Sequence, residues 1–538
     1  MKKKINFIST VCVVFLSIQT MAQQTPLLVK DVWQGIGSSE PTHLIDVNGT
    51  LFFKAFNGTN YGLWKSDGTE AGTVMVKDGA FPVYGQLALN GSLFFDFDNG
   101  SQGYELWKSD GTEAGTVLVK DINPGQTGSN PKDFTLLNGM LYFGATDGTN
   151  GIELWKSDGT DAGTEMVASN IYPGTGAFYG GHLTEVNGLL FFRASDNTYN
   201  YELWKSDGTE AGTVLVKDIY PGNSWSEINN LTHVNGTLFF SAHDGTHGTE
   251  LWKSDGTEAG TVMVKDINPG NALSISYEPN FTPVNDLLFF IADDGVHGYE
   301  LWKSDGTTEG TVLVKDIKPG ELGASIENLT NVNGTLFLSA YDGTNGNELW
   351  KSDGTEAGTV LVKDINPGES GSDPKYLTNL DGTLFFNAND EVNGAEVWKS
   401  DGSESGTVRV SDIYANTASS NPEWFTISGS DLFFSATDGL SLHGRELWKL
   451  GEESTGFKAE HLSNNLLIYP NPAGKTLYIK SDYHSQVLEV VVSDLTGKKL
   501  LSRQIEGSLN ISQLERGIYL LSIYENNRLL KSSKFVVK

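Results

Sequence analysis

The chain has 538 residues, with 67 Asp and Glu against 37 Lys and Arg, a net charge of −30 and a single cysteine. The first 22 residues carry +3 and residues 460–538 a further +3, which leaves −36 on residues 23–459. Such a body repels nucleic acid and anionic membrane surfaces, and one cysteine excludes an internal disulfide. It attracts cations, so calcium is the one cofactor the composition admits, although acidity that keeps a secreted repeat protein soluble is the simpler reading.

At the N-terminus, Lys2, Lys3 and Lys4 precede an apolar run from Ile5 to Ile18 and a small-residue site at Thr20, Met21 and Ala22. This pattern predicts a secretory signal peptide over residues 1–22, cleaved between Ala22 and Gln23. Cys12 lies inside it, without the flanks of a lipoprotein attachment site. The apolar run is too short to span a bilayer, and no later stretch reaches the ~20 apolar residues that a membrane helix needs. No transmembrane segment is expected.

From residue 27 to 449 the chain repeats itself. A Leu–Trp or Val–Trp pair followed by Lys recurs nine times, with tryptophans at 64, 107, 155, 204, 252, 302, 350, 398 and 448, a mean spacing of 48 residues. The copy from Asn229 to Ile267 divides into four short apolar segments separated by turn signals. Asn235-Gly236 joins the first two, a dipeptide suited to the positive φ angles of a tight hairpin. Leu238-Phe239-Phe240 is a continuous apolar run, so both faces of the second strand must be covered. Glu250-Leu251-Trp252-Lys253 and Val262-Met263-Val264-Lys265-Asp266 form the third and fourth, joined by a Gly- and Asp-rich hairpin.

Four-stranded units buried on both faces predict an all-β protein, a β-propeller of about nine blades. Its phase is informative. Leu27 to Val32 reads as a fourth strand without its first three, and the repeats end at Trp448-Lys449 without a fourth, so residues 27–32 are expected to complete the last blade within a domain spanning 23–450. An open array of the same units is the alternative. The repeat resembles the ELWKSDGT-type repeats of secreted bacterial proteins, a resemblance that names an architecture and no activity. It departs from the Asp-box hairpin of sialidase propellers, because Ser254 directly precedes Asp255 instead of standing two residues before it.

Residues present in every copy read as scaffold, since catalysis needs one acid, one base and one pocket. Glu250, Lys253, Asp255, Lys265 and Asp266 and their counterparts are expected to form cross-strand or inter-blade ion pairs. His247, His297 and His443 alternate with Asn150, Asn345 and Asn393 before a turn glycine, which points to a shared tolerance of left-handed backbone angles rather than to a metal site. No nucleophile elbow, phosphate-binding loop or His/Cys metal spacing occurs, and no catalytic residue is assigned. A glycosidase with two carboxylates stays open as an alternative, as does a purely structural surface protein.

Departures from the repeat concentrate in the connections from one blade's fourth strand to the next blade's first. Three tryptophans that the repeat does not require, Trp33, Trp225 and Trp424, are placed there, with Tyr179 and Tyr277 beside them. Exposed aromatic faces suit a glycan or a protein ligand, so these five residues are the candidate binding set for adhesion or nutrient capture.

Residues 451–465 are polar and read as a linker. Beyond them, alternating apolar runs predict about seven strands of a small β-sandwich over residues 466–538. Tyr469-Pro470-Asn471-Pro472, Asp494-Leu495-Thr496-Gly497-Lys498, Arg516-Gly517-Ile518-Tyr519 and the terminal Lys534-Phe535-Val536-Val537-Lys538 resemble the motifs of the type A C-terminal sorting domain of type IX secretion cargo. The resemblance implies a Bacteroidetes-type source and export through periplasm and outer membrane. It also implies reading by the translocon, removal by a surface sortase, and a passenger either displayed on the cell surface or released.

Overall fold

A computed structural model of the chain describes residues 24–79, 85–169, 171, 183–195, 201–222, 224–276, 279–410, 412–414, 417–439, 442–452, 467–469, 475–480, 488–493, 498–505, 508–525 and 528–537. No helix occurs among the described residues; all regular structure is strand. Two compact units are formed, Thr25–Gly451 and a smaller one that includes the C-terminal residues.

The larger unit consists of four-stranded antiparallel sheets, nine among the described residues. The fifth is representative, with strands Asn229–Val234, Thr237–His243, Thr249–Ser254 and Val262–Lys265. Its first turn holds Asn235 at φ 44° and Gly236 at φ 81°, the pair of positive angles that a twisted two-residue hairpin requires. The next pair is in continuous register, with Phe239 opposite Lys253 and Phe240 opposite Trp252.

Alternation along the second strand divides its side chains between two neighbours. Leu238, Phe240 and Ala242 pack with Phe191, Leu203 and Val216 of the fourth sheet, whereas Phe239 packs with Leu288, Phe290 and Trp302 of the sixth. The unbroken Leu-Phe-Phe run is thus two half-cores. Each fully buried Phe or Leu contributes roughly 1.5–3 kcal/mol, so the interfaces between sheets hold most of the stability.

Lysines stitch the same interfaces. Lys253 Nζ donates to the Gly306 carbonyl and Lys265 Nζ to the Thr311 carbonyl of the following sheet, each at 2.8 Å. The ion pairs expected of the repeat are therefore mostly lysine-to-carbonyl bonds; Lys120 with Asp161, at 3.0 Å, is an exception. The repeated Asp255 serves its own hairpin, accepting Thr257 N at 2.8 Å and Oγ1 at 2.7 Å.

First strands of successive sheets touch one another, and the first strand of the ninth sheet, Glu423–Ser428, touches that of the first, Thr42–Val47. Gln24–Lys30 lies beside Arg445–Glu452 as the fourth strand of the ninth sheet. It begins three residues earlier than the sequence pattern suggested and leaves the sheet before Asp31 and Val32. Contacts between the ninth and first sheets repeat those elsewhere: Val29, Phe433 and Leu447 pack with Leu51, Phe53 and Trp64. Lys30 Nζ donates to Thr73 O at 2.8 Å, and Thr426 Oγ1 to Leu44 O at 3.3 Å as Thr184 does to Leu231. The architecture is propeller-like.

In the smaller unit, a sheet of Leu467–Tyr469, Thr476–Lys480 and Ser508–Asn510 and another of Lys499–Ile505, Leu488–Ser493, Gly517–Glu525 and Arg528–Val537 share a core that includes Leu477, Val490, Leu509, Leu521 and Phe535.

Candidate functional site

The connections between sheets are shaped by a carboxylate that the sequence disguises as a surface residue. Glu250 is fully buried and accepts Ile267 N at 2.9 Å and Ser274 Oγ at 2.6 Å, so the connection folds around it. Burial pushes its carboxyl up to about 7 against those hydrogen bonds, with Asp266 adding to the rise. Glu105, Glu348, Glu396 and Glu446 hold their connections in the same way. The first sheet has Gly62 at this position. A Cβ there would stand 2.5 Å from Lys77 O and 2.9 Å from Met75 Sδ, so no side chain fits.

The histidines are turn residues, for a reason other than the one expected. His247 Nδ1 lies 2.7 Å from Asp244 Oδ2, and Asn345 Nδ2 donates to Asp342 Oδ2 at 2.7 Å. Neither residue has a positive φ; the left-handed angle belongs to the glycine that follows, Gly248 at 75° and Gly346 at 66°. Imidazole and amide interchange because both present a nitrogen to the turn aspartate. Among the described residues, no three His, Cys, Asp or Glu side chains come together as a metal site.

Three tryptophans were singled out, and each meets a different partner. Trp33 packs edge-on against Phe56 at 5.2 Å, and a Cβ on Gly37 or Gly58 would enter its ring, so it plugs the join between its connection and the first sheet. Trp225 rests edge-on against Tyr201 at 5.3 Å and is 59% exposed. Trp424 lies in the first strand of the ninth sheet and not in a connection, a correction that follows from a bulge between Glu423 and Thr426. Tyr179 and Tyr277 lie outside the described residues.

That bulge opens the site. Its second residue has a positive φ, between 56° and 58°, in six sheets, at His43, Asp133, Asn230, Asn328, Tyr376 and Trp424, and Asn280, just ahead of the sixth sheet's first strand, has φ 51°. Asn, Asp and His accept this backbone readily, whereas Tyr or Trp is strained in it. Aromatic rings occupy it in the eighth, ninth and first sheets, whose first strands are neighbours. The Trp424 and His43 rings stand 4.6 Å apart, and Tyr376 and Trp424 are 41% and 36% exposed. Burial, then Lys54, lowers the pKa of His43, so its ring is uncharged at neutral pH. Burial also raises the Tyr376 hydroxyl, with Glu423 adding to the rise and Arg445 opposing it.

Beside this arc Arg445 lies between two carboxylates, with Nε 3.7 Å from Glu40 and Nη1 4.0 Å from Glu423. It also donates to the Asn421 carbonyl at 2.9 Å. The sequence reading missed His43, Tyr376 and this arginine. Their signal was replacement, at matched positions, of the residue that the turn favours.

Of the terminal residues singled out, Ala22, Gln23, Pro470, Asn471, Pro472, Gly497 and Lys538 lie outside the described ones. Tyr469 ends an edge strand, and Gly517 opens an interior strand of the other sheet. Tyr519 donates its hydroxyl to Glu515 O at 2.9 Å and lies 5.9 Å from the Phe535 ring.

Residues 467–538 match the family described as the secretion system C-terminal sorting domain. No curated protein matches the chain. Among solved structures, the chain is similar to a puromycin hydrolase mutant, with 14% identity, 67% of this chain and 60% of that one covered, and a TM-score of 0.36. A prolyl endopeptidase structure has 11% identity, 92% and 56% coverage and a TM-score of 0.37. A Mycobacterium tuberculosis puromycin-hydrolyzing peptidase has 10%, 68% and 60% coverage and 0.35. The chain thus spans less than two thirds of those proteins' lengths, and no residue role is carried over from them. The sorting domain makes the chain type IX secretion cargo, exported to the cell surface or beyond it. Among the described residues, no helix is long and apolar enough to cross a membrane.

Proposed function

We propose that this type IX secretion cargo is a binding protein, whose body is a closed nine-bladed propeller with its ligand site at the axial mouth, over Tyr376, Trp424 and His43. The surface sortase removes the C-terminal sandwich, and the body is then displayed or released to serve adhesion or nutrient capture of a glycan or protein.

One observation carries the reading. Two adjacent inner positions, Tyr376 and Trp424, hold bulky rings on a backbone that asparagine, aspartate or histidine fits better and that is otherwise the same in other sheets. Strained residues kept against local preference point to use. A non-enzymatic role is favoured because Glu40 and Glu423, the two carboxylates beside the arc, both face the Arg445 guanidinium.

The test is binding of the purified full chain to arrays of glycans and peptides. Replacing Tyr376 and Trp424 together should abolish a signal that Trp225→Ala leaves intact. Equal binding by the double variant would move the site away from the mouth.

A further inference from the structure

Resting on that reading, we infer that the mouth takes one uncharged pyranose ring, the terminal sugar of a neutral glycan, stacked on Trp424 and Tyr376. The arc is small: three side chains on neighbouring first strands, two of them partly exposed. A protein partner needs about 800 Å² on each side, far more than three rings present. A single sugar ring needs an apolar plate and polar groups at its edge.

Both are present. The plate is Trp424, held in place by His43 at 4.6 Å. The edge is polar, with the Glu423 and Glu40 carboxylates as acceptors on either side of the Arg445 guanidinium. Charge selects among sugars. The guanidinium is already shared by two carboxylates, and the chain carries −30 overall, so a uronate, sialate or sulfate meets a long-range repulsion that Lys375, exposed beside Tyr376, and Lys54, beside His43, offset only in part. A hydroxyl-bearing neutral ring meets no such repulsion. Affinity for one ring rests on two stacking contacts, so binding is weak per site and gains strength where many copies face a branched or repeated glycan.

The backbone supplies a clean probe. Trp424→Asn and Tyr376→Asn install the residue that Asn230, Asn280 and Asn328 already place at this angle, so each should fold at least as well as wild type while losing its plate. Full-length protein would be titrated with cellohexaose, maltohexaose, mannohexaose, hexagalacturonate and an array of unmodified peptides. The expected result is binding to at least one neutral hexasaccharide, weakened at least ~10-fold by Trp424→Asn and largely restored by Trp424→Tyr, with no binding of the uronate. Preference for the uronate, or binding of none of the three neutral sugars, would overturn the inference. If peptides bind and Trp424→Asn removes them, the mouth reading stands and the sugar assignment fails. Neutral-sugar binding indifferent to Trp424→Asn and Tyr376→Asn would sink both.

Discussion

Glu446 Oε2 accepts the backbone N–H of Val32 at 3.0 Å, across 414 residues of sequence. The same carboxylate takes Ser39 N at 3.1 Å and Ser39 Oγ at 2.5 Å, as Glu250 takes its own connection within the fifth sheet. The N-terminal segment is thereby anchored to the last strand of the body by the device that organises internal connections.

Removal of residues 24–32 should therefore destabilise the body far more than trimming a terminus usually does. It strips Val29 from the interface with the first sheet, leaves Glu446 without Val32, and exposes the edge of Arg445–Glu452. A fall in melting temperature of about 10 °C or more, with concentration-dependent self-association, is expected by calorimetry and light scattering. An unchanged melting temperature would favour an open array.

Stability should fall as pH rises from 5 to 8. Glu202, Glu250, Glu300, Glu348, Glu396 and Glu446 are each pushed up to about 7 by burial. An unfolded glutamate titrates near 4.5, so between ~4.5 and ~7 the folded chain binds more protons than the unfolded one, and that contribution is lost as pH climbs through the folded values. Hairpin aspartates such as Asp255, lowered mainly by the Thr257 hydroxyl, act in the opposite sense below pH ~4. The melting temperature should peak between these ranges. Glu250→Gln should flatten the slope above the peak, and a profile rising toward pH 8 would refute the account.

The repeat was legible because its signals are local: Asn-Gly fixes a hairpin, Leu-Phe-Phe demands two covered faces, and Trp recurs in register. The glutamate's role was not. In sequence, Glu250 beside Leu251 looks like any polar strand residue; it is buried because the chain returns 17 and 24 residues later to wrap it. A serine recurring eight residues after the fourth-strand aspartate, as Ser274 follows Asp266, was the available clue. Trp424 was misplaced because one bulge residue shifts the strand's start, and His43 and Tyr376 were passed over because nothing local distinguishes a ring at a bulge from a ring in a core.

Trp33 and Trp225 should separate a structural role from an exposed one. Trp33→Ala removes a ring that lies against Gly37, Gly58 and Phe56 while 38% exposed, and should cost ~1–2 kcal/mol. Trp225→Ala, at 59% exposure, should change stability by less than ~1 kcal/mol. Denaturant titrations of both variants check the order, and a larger loss at Trp225 would reverse the assignment.

Export should depend on residues 467–538 and not on the body. The matched domain has its own core, with Leu477, Val490, Leu521 and Phe535 buried, and the body's sheets pack against one another. A chain ending at residue 466 should therefore fold, with the melting temperature of the body unchanged, yet remain inside the cell envelope. Tyr519→Ala, which removes the hydroxyl bond to Glu515 and the packing on Phe535, should lower export without touching the body. Conversely, residues 467–538 fused behind an unrelated folded domain that carries a secretory leader should carry it outside. Immunoblots of medium, surface and periplasm read all three. Normal amounts of the truncated chain in the medium would show that export is encoded elsewhere, and periplasmic retention of the fusion would show that the domain does not suffice.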